Sequence, residues 1–235
     1  MGLPVRTIAD QTFQLAHAEE TAIEAVRLER CVFDNCYATQ CTFRKVELMS
    51  CRAWNCHLYS ARIEDCRIDG AAMTIRRGGG GRGGRRMPLF LWGGTARHVT
   101  LHGTFGGIIW NPPKAWGTGK DLDELNDVKK YYEGVDWALD IREARFTSGP
   151  TLRFGPPGRL ILRDPKTQPL VTRAAAAGGA WRAAGGGEIG VWRVVLEGFV
   201  KRSWPEEIVL IPSAGKKAAE EVAGIQRLRE LGVAQ

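Results

Sequence analysis

The chain has 235 residues, enough for one large domain or two small ones. Lysine and arginine number 33 against 26 aspartates and glutamates, which gives a formal net charge of +7. No apolar run approaches the ~20 residues that a membrane helix needs, and the N-terminus lacks the apolar core of a secretory signal. We therefore expect a cytoplasmic protein with no membrane association.

Apolar residues recur with a period of five over the first third of the chain. Fourteen successive positions of one register are apolar: Ile8, Phe13, Ala18, Ile23, Leu28, Phe33, Ala38, Phe43, Leu48, Ala53, Leu58, Ile63, Ile68 and Met73. A second column stands two residues earlier and holds all six cysteines: Val26, Cys31, Cys36, Cys41, Val46, Cys51, Cys56, Ala61, Cys66 and Ala71. Polar and turn-forming residues such as Glu19, Asp34 and Asn55 fill the positions between the columns.

A period of five fits neither regular element. On an α-helix five residues turn the chain by about 140°, so the apolar positions would spiral around every face. On a flat strand five is odd, so successive apolar residues would point to opposite sides. Residues two apart do share one face of an extended segment, so each pair of columns fits a short strand followed by a bend. The pattern predicts a solenoid whose coils bury one continuous interior.

Units such as Cys31–Asn35 and Cys66–Gly70 resemble pentapeptide repeats, in which a small residue, any residue, Leu or Phe, and two polar residues follow one another. The resemblance covers residues 6–75 and implies a mainly β fold, a right-handed four-sided β-helix with four units per coil. Arg6 and Gln11 depart from the small-residue position, so the first coil is expected to be irregular or a cap. The implied interior ladder comprises Cys31, Phe33, Cys36, Cys41, Phe43, Leu48, Cys51, Cys56, Leu58, Ile63, Cys66 and Ile68.

The cysteines permit two interpretations. Stacked pairs such as Cys31 with Cys51 would lie about 4.8 Å apart, within the range of a disulfide. Parallel, inward-pointing thiols instead favour packing as small hydrophobic groups. The spacings are multiples of five, so no Cys-x-x-Cys zinc pair occurs. We expect packed thiols.

Residues 76–86 form a glycine-rich segment without acidic residues. Its arginines are Arg76, Arg77, Arg82, Arg85 and Arg86. One interpretation is a flexible cationic arm that contacts nucleic acid or another partner. The other is a solvated loop, because only two Arg-Gly-Gly triplets occur and no aromatic residue lies between them.

Beyond this loop, residues 89–111 have the composition of strands, and 121–132 have the spacing of a short helix. Residues 137–146 repeat the two-column, five-residue pattern, which predicts that the β-helix resumes there. We therefore expect residues 1–165 to form one β-helical domain that carries the loop 76–86 and the short helix as insertions.

The last part of the chain, residues 166–235, has a mixed α/β pattern. A helix is expected over 191–201, a strand over 208–211 and a helix over 214–231. The apolar stripes predicted for the two helices are Trp192, Val195, Leu196 and Phe199, and Ala218, Val222, Ile225, Leu228 and Leu231. An open solenoid end exposes unpaired strands, so the simplest role of this region is a C-terminal α/β cap; a separate module is the alternative.

No motif in the sequence carries catalytic chemistry. There is no nucleophile elbow, and the Gly117–Lys120 segment lacks the first glycine and the Ser or Thr of a phosphate loop. His98 and His102 stand four apart in a predicted strand, too far to share a metal, and are interpreted as exposed edge residues. We expect no catalytic, cofactor-binding or metal-binding residues. The tryptophans, concentrated after the loop, fit either core packing or a recognition surface for a protein.

Four functions remain open from the residues and the resemblance. The first is a non-enzymatic scaffold or protein-interaction module. The second is nucleic-acid binding through residues 76–86. Some pentapeptide-repeat proteins mimic DNA and bind type II topoisomerases, but that role needs an acidic stripe, whereas residues 1–75 carry eight basic and ten acidic side chains. The fourth is a lateral-groove carbohydrate-active enzyme that uses Asp136, Asp140, Arg142 and Glu143.

Overall fold

The computed structural model describes residues 6–70, 89–111, 120–147, 152 and 154–235. The fold is mainly β, and its strands are short, parallel and stacked in sheets. Helices are concentrated in the C-terminal third. The predicted binding arm, residues 76–86 with Arg76, Arg77, Arg82, Arg85 and Arg86, lies outside the described residues.

Strands of three or four residues recur every five residues through the first part of the chain, as the period predicted. Their bounds are β1 Arg6–Ala9, β2 Thr12–Gln14, β3 His17–Glu19, β4 Ala22–Glu24, β5 Val26–Glu29, β6 Val32–Asp34, β7 Tyr37–Thr39, β8 Thr42–Arg44, β9 Glu47–Met49, β10 Arg52–Trp54, β11 His57–Tyr59, β12 Arg62–Glu64 and β13 Arg67–Asp69. The first-column residues from Ile8 to Ile68 lie within these strands, so each of the thirteen strands turns one apolar side chain inward.

A left-handed corner follows each of the first twelve of these strands. The φ angles lie between 47° and 57° at Asp10, Leu15, Glu20, Ala25, Arg30, Asn35, Gln40, Lys45, Ser50, Asn55, Ser60 and Asp65. A non-glycine residue in this region is uncommon and strained, and Asn and Asp tolerate it best. Here the corner recurs because one such residue turns the chain onto the next face. The polar corner positions of the sequence are therefore the bends that the period of five requires.

Four parallel sheets form the sides of the stack. We name them sheet A (β1-β5-β9-β13-β16-β18-β19), sheet B (β2-β6-β10), sheet C (β3-β7-β11-β14-β17) and sheet D (β4-β8-β12-β15). Neighbouring strands are twenty residues apart in the first coils: Ile8 pairs with Leu28, and Leu28 with Leu48. One circuit of the chain thus adds one strand to each sheet.

The stack continues beyond residue 88. The later strands are β14 Leu89–Trp92, β15 Thr95–Arg97, β16 Val99–Phe105, β17 Ile108–Asn111, β18 Leu139–Phe146 and β19 Ile161–Leu162. Phe90 pairs with His57 on sheet C, and Thr100 pairs with Arg67 on sheet A. The inserted helix α1 spans Lys120–Glu133, where residues 121–132 were predicted.

Residues 137–146 return to the stack as predicted, because β18 joins sheet A, but they do not repeat the five-residue coil. One continuous strand, β18, pairs with β16 along sheet A, and the register shifts between Thr100 and His102. This bulge adds one residue, so the buried positions Ile141 and Ala144 stand three apart, which imitated the spacing of the repeat.

The C-terminal region has its own core. Its elements are β20 Leu170–Thr172, α2 Arg173–Gly178, α3 Gly186–Ile189, α4 Val191–Val200, β21 Glu207–Val209 and α5 Ala218–Glu230, with 3-10 turns at Gly158–Leu160 and Ala180–Ala183. β20 and β21 pair antiparallel. The predicted face of α4 is confirmed, because Trp192, Val195, Leu196 and Phe199 are buried.

The predicted apolar stripe of α5 is partly wrong. Val222 is 53% exposed, whereas the neighbouring Glu221 is 5% exposed. The Glu221 carboxylate accepts a hydrogen bond from the Ser213 amide at 2.5 Å, and its carbonyl accepts one from the Trp192 indole at 2.8 Å. These two contacts fix the rotation of α5.

Candidate interaction surfaces

The cysteine column is packed and chemically inert. All six cysteines are free thiols; Cys36 is partly exposed, and the five others are 6% exposed or less. Every thiol except that of Cys41 donates to a carbonyl oxygen of the preceding coil, for example Cys51 to Leu28 at 3.0 Å. Burial raises the pKa of Cys56 to about 11. A thiol held in the neutral form cannot act as a nucleophile at neutral pH.

The Leu/Phe column is packed less tightly than the cysteine column. An apolar cavity of about 420 Å³ runs inside the stack between the four sheets. Phe33, Phe43, Leu48, Leu58 and Ile68 of the predicted ladder line or border it and are only half-buried, while Ile63 is 8% exposed. The interior is therefore apolar, as expected, but hollow.

The outward side of sheet C carries an aromatic face, which we define as Tyr37, His57, Tyr59, Phe90 and Trp92. Strand register aligns Tyr37, His57 and Phe90 in one column and Tyr59 with Trp92 in the next. The ring centroids of Tyr37 and His57 are 5.3 Å apart and those of His57 and Phe90 are 5.0 Å apart, with interplanar angles of 7°. Tyr59 stacks on Trp92 at 6.5 Å.

The His57 side chain is part of this stack of rings. Its Nε2 lies 3.4 Å from the Asn55 Oδ1, and desolvation between its ring neighbours lowers its pKa. The neutral imidazole therefore behaves as an aromatic ring at neutral pH. Because the rings cover one another's faces, the face is formed mainly by ring edges.

Sheet D carries a ladder of alternating charge: Glu24, Arg44, Glu64 and Arg97. Arg44 donates to the Glu64 carboxylate at 3.0 and 3.1 Å and to Glu24 at 3.1 Å. The Glu64 side chain is only 8% exposed. Sheet A has similar pairs between coils, Arg27 with Glu47 and Arg30 with Asp10, both at 2.6 Å. Alternation of sign along the stack leaves no continuous acidic stripe on these described faces.

Helix α1 lies against the outer side of sheet D. The Tyr131 hydroxyl donates to Glu64 at 3.2 Å, and the buried Tyr132 hydroxyl accepts from the Ala96 amide at 3.0 Å. Desolvation raises the pKa of Tyr131 to about 12, with the Glu64 charge as the second cause. Ser60 donates a hydrogen bond to Glu124 at the edge of a polar cleft of about 570 Å³.

The two histidines His98 and His102 each lie between carboxylates of neighbouring coils. His98 Nε2 is 2.7 Å from Asp136 and its Nδ1 is 3.1 Å from Asp65. The hydrogen bond with Asp136, together with that of Asp65, raises the pKa of His98. His102 lies farther from its neighbours, 3.8 Å from Asp69 and 3.7 Å from Glu143.

Two of the acidic residues near β18 are held by hydrogen bonds with basic side chains. Arg142 holds Asp140 at 2.6 and 2.9 Å and lowers its pKa. The hydrogen bond from His98 lowers the pKa of Asp136. Both contacts favour the ionised form of the carboxyl.

In the part of the chain that the structure describes, no group of three or more His, Cys, Asp or Glu residues has the arrangement of a metal site. Within the same residues no helix is long and apolar enough to span a membrane. The chain matches no protein-family model, and no curated protein shows significant similarity to it. The assignment of a family therefore rests on the residue pattern and the strand geometry.

Proposed function

We propose that the chain is a pentapeptide-repeat protein whose first part is a right-handed four-sided β-helix, capped by the α/β region at its C-terminal end. Three observations support this fold: strands every five residues, a left-handed corner after each of the first twelve strands, and pairing of residues twenty apart. The domain boundary near residue 165 is consistent with β19 Ile161–Leu162 as the last strand of sheet A.

The proposed function is a non-enzymatic protein-interaction module that binds a protein partner through the aromatic face. The observation that carries this proposal is the alignment of five aromatic side chains on one outward sheet face, with Tyr37 39% exposed and the others half-buried. A solvent-facing sheet has no need of such a cluster, and aromatic residues are enriched at protein interfaces.

The geometry favours a protein over a sugar or a nucleobase. Sugars and bases bind aromatic residues by stacking on an exposed ring face. On the aromatic face the rings stack on one another, at 5.0 Å between His57 and Phe90, so few ring faces are free in the described coils. Ring edges with hydroxyl groups match the mixed apolar and polar contacts of a protein interface.

The test compares two double variants of the full chain. Y37S/Y59S removes two rings from the aromatic face, one exposed and one half-buried, and R52S/R67S changes exposed residues of sheets B and A as the matched control. Affinity-tagged proteins are incubated with an extract of the native cells, captured proteins are quantified by mass spectrometry, and binding of the leading protein is then measured with purified components.

We expect wild type and R52S/R67S to capture the same protein, and Y37S/Y59S to lose at least about tenfold in affinity, or ~1.4 kcal/mol. Circular dichroism of both variants checks that the fold is retained. Equal affinity of Y37S/Y59S and wild type for that protein would exclude the aromatic face as the binding surface.

Nucleic-acid binding through Arg76, Arg77, Arg82, Arg85 and Arg86 stays a prediction. The R82S/R85S/R86S variant tests it: salt-dependent binding to nucleic acid should weaken, and unchanged affinity would exclude binding through these arginines. Mimicry of DNA toward a type II topoisomerase is the lesser alternative, because the charges on sheets A and D alternate. A supercoiling assay of gyrase without inhibition or protection would dismiss it.

A further inference from the structure

The cavity inside the stack has a simple origin in the sequence. In each of four successive coils one strand-centre position that faces the interior is alanine: Ala18, Ala38, Ala53 and Ala96. The other described positions of these coils carry Leu, Ile or Phe. An alanine leaves out the methyl groups that a leucine would bring to the axis, so each coil lacks one side chain's volume.

These gaps join into one channel. Ala18 and Ala38 are paired on sheet C, Ala53 lies on sheet B in the next coil and Ala96 on sheet D in the coil after it. The cavity extends from Ile8 in the first coil to Trp110 and Leu139 in the last. Five steps between paired strands make it about 24 Å long. Its lining is almost entirely apolar.

We propose that this channel binds one unbranched acyl chain. The volume of about 420 Å³ lies within the range of ligand pockets, and its apolar lining disfavours water. The hydrocarbon core of a bilayer is about 30 Å thick and holds two chains end to end, so one chain needs about 15 Å. Only one side chain is missing per coil, which leaves room for a single chain and excludes a sterol ring system.

The polar head of the ligand lies at the first coil. In the described part of the chain β1–β4 are the outermost strands of their sheets. There Arg6 occupies the exposed position that is aligned with Val26, a lining residue of the channel, so a cation stands one strand beyond the lining at this end. A carboxylate at this end of the channel pairs with the Arg6 guanidinium while its hydrocarbon tail fills the channel. The channel shares Tyr37 with the aromatic face, but its argument does not depend on the proposed function.

The test uses the purified full chain, stripped of bound lipid by unfolding and refolding. A fluorescent long-chain fatty acid is titrated into the protein, and palmitic acid, its methyl ester, dipalmitoyl phosphatidylcholine vesicles and cholesterol are used as competitors. We expect saturable binding of one probe per chain, displacement by palmitic acid and no displacement by cholesterol. Absence of saturable binding by native mass spectrometry and fluorescence, or equal displacement by cholesterol, would overturn the proposal.

A pair of matched variants tests where the probe binds. A38L/A53L places leucine at two gaps of the channel, while A22L places it at an exposed position of sheet D. We expect A38L/A53L to lose at least tenfold in affinity and A22L to bind as wild type does. If A38L/A53L binds the probe as wild type does, the channel is not the site. Should that double variant fail to fold, the single variants A38L and A53L provide the same comparison.

Displacement by the competitors and the effect of the R6A variant distinguish the two sources of the acyl chain. If the ligand is a free fatty acid, R6A lowers the affinity for palmitic acid several-fold and leaves the affinity for its methyl ester unchanged. If the ligand is the tail of a phospholipid, the vesicles displace the probe, and R6A changes neither the affinity for the methyl ester nor that for palmitic acid. Either result supports an acyl chain in the channel, whereas competition by none of the three acyl compounds contradicts it.

Discussion

The repeat stack and the C-terminal region bury their side chains in two different ways. In the stack, each coil contributes equivalent small units, and the inward residues contact their equivalents twenty positions away, as Phe13 does with Phe33 at 5.1 Å between ring centroids. In the C-terminal region a few large residues, above all Trp181, Trp192 and Phe199, are almost fully buried among elements of different kinds. Stability is therefore distributed in the first region and concentrated in the second.

The largest expected effect follows from this concentration. Trp192 is 1% exposed and donates a hydrogen bond to the Glu221 carbonyl, so Trp192→Ala should destabilise the C-terminal region by about 3–5 kcal/mol. Leu48→Ala in the stack should destabilise by about 2 kcal/mol, because Leu48 borders the channel and is only half-buried, so its truncation removes less packing. Urea unfolding followed by tryptophan fluorescence and circular dichroism measures both. If Leu48→Ala costs as much as Trp192→Ala, the two regions do not differ as described.

The charge ladder of sheet D allows a buried and an exposed carboxylate to be compared within one column. Glu64→Ala removes a buried carboxylate that Arg44 and Tyr131 contact, and we expect a loss of about 2 kcal/mol. Glu24→Ala, at the exposed end of the ladder, should cost less than about 0.5 kcal/mol. Thermal unfolding at low and at high salt measures the two variants. A Glu24 variant as damaging as the Glu64 variant would show that burial does not set the strength of the ladder.

A gain in stability is expected at the first corner of sheet B. Leu15 is 72% exposed and has a φ angle of 52°, whereas the equivalent corners one and two coils deeper are Asn35 and Asn55, whose amides contact each other. Leu15→Asn should stabilise by about 0.5–1 kcal/mol, since asparagine tolerates this conformation. Leu15→Ala is the control, and an equal gain there would attribute the effect to loss of an exposed leucine rather than to the corner.

The smallest effects concern pH, and they have opposite signs at two histidines. The raised pKa of His98 means that its contribution to stability is present below about pH 6.5 and is lost as pH rises through the folded-state pKa. The lowered pKa of His57 has the reverse consequence: its contribution is present above about pH 6.5 and is lost as pH falls toward the folded-state pKa. In a plot of the free energy of unfolding against pH, His98→Ala should reduce the fall above about pH 6.5, and His57→Phe should reduce the fall below it. A plot that neither variant changes would contradict these assignments.

Periodicity determined how much of the fold could be predicted. The five-residue columns predicted the strand centres and the burial of the cysteines, because every coil repeats one local environment. Prediction was wrong where tertiary contacts override the local pattern. The bulge in β18 imitated the repeat spacing, and the rotation of α5 follows the hydrogen bonds of Glu221 rather than the stripe that includes Val222.

The aromatic face was missed for a related reason. Its first members, Tyr37 and His57, stand twenty apart, a spacing that comparison of the outward positions coil by coil would have found. The next member, Phe90, follows His57 by 33 residues because an insertion separates the coils, so no fixed period connects it. The alanines of the apolar column indicated gaps in the interior. Whether the gaps join into one channel depends on the sheets on which these alanines lie, and the sequence alone does not specify that.

Position-resolved thiol labelling tests the central claim most directly, since the cysteine column should face the interior of a folded stack. With a thiol reagent at neutral pH and mass spectrometry of the peptides, Cys36 should react first, and Cys31, Cys41, Cys51, Cys56 and Cys66 should react orders of magnitude more slowly than in denaturant. If all six thiols of the folded protein react as fast as they do in the unfolded chain, the cysteine column does not line a buried interior and the coil geometry is wrong.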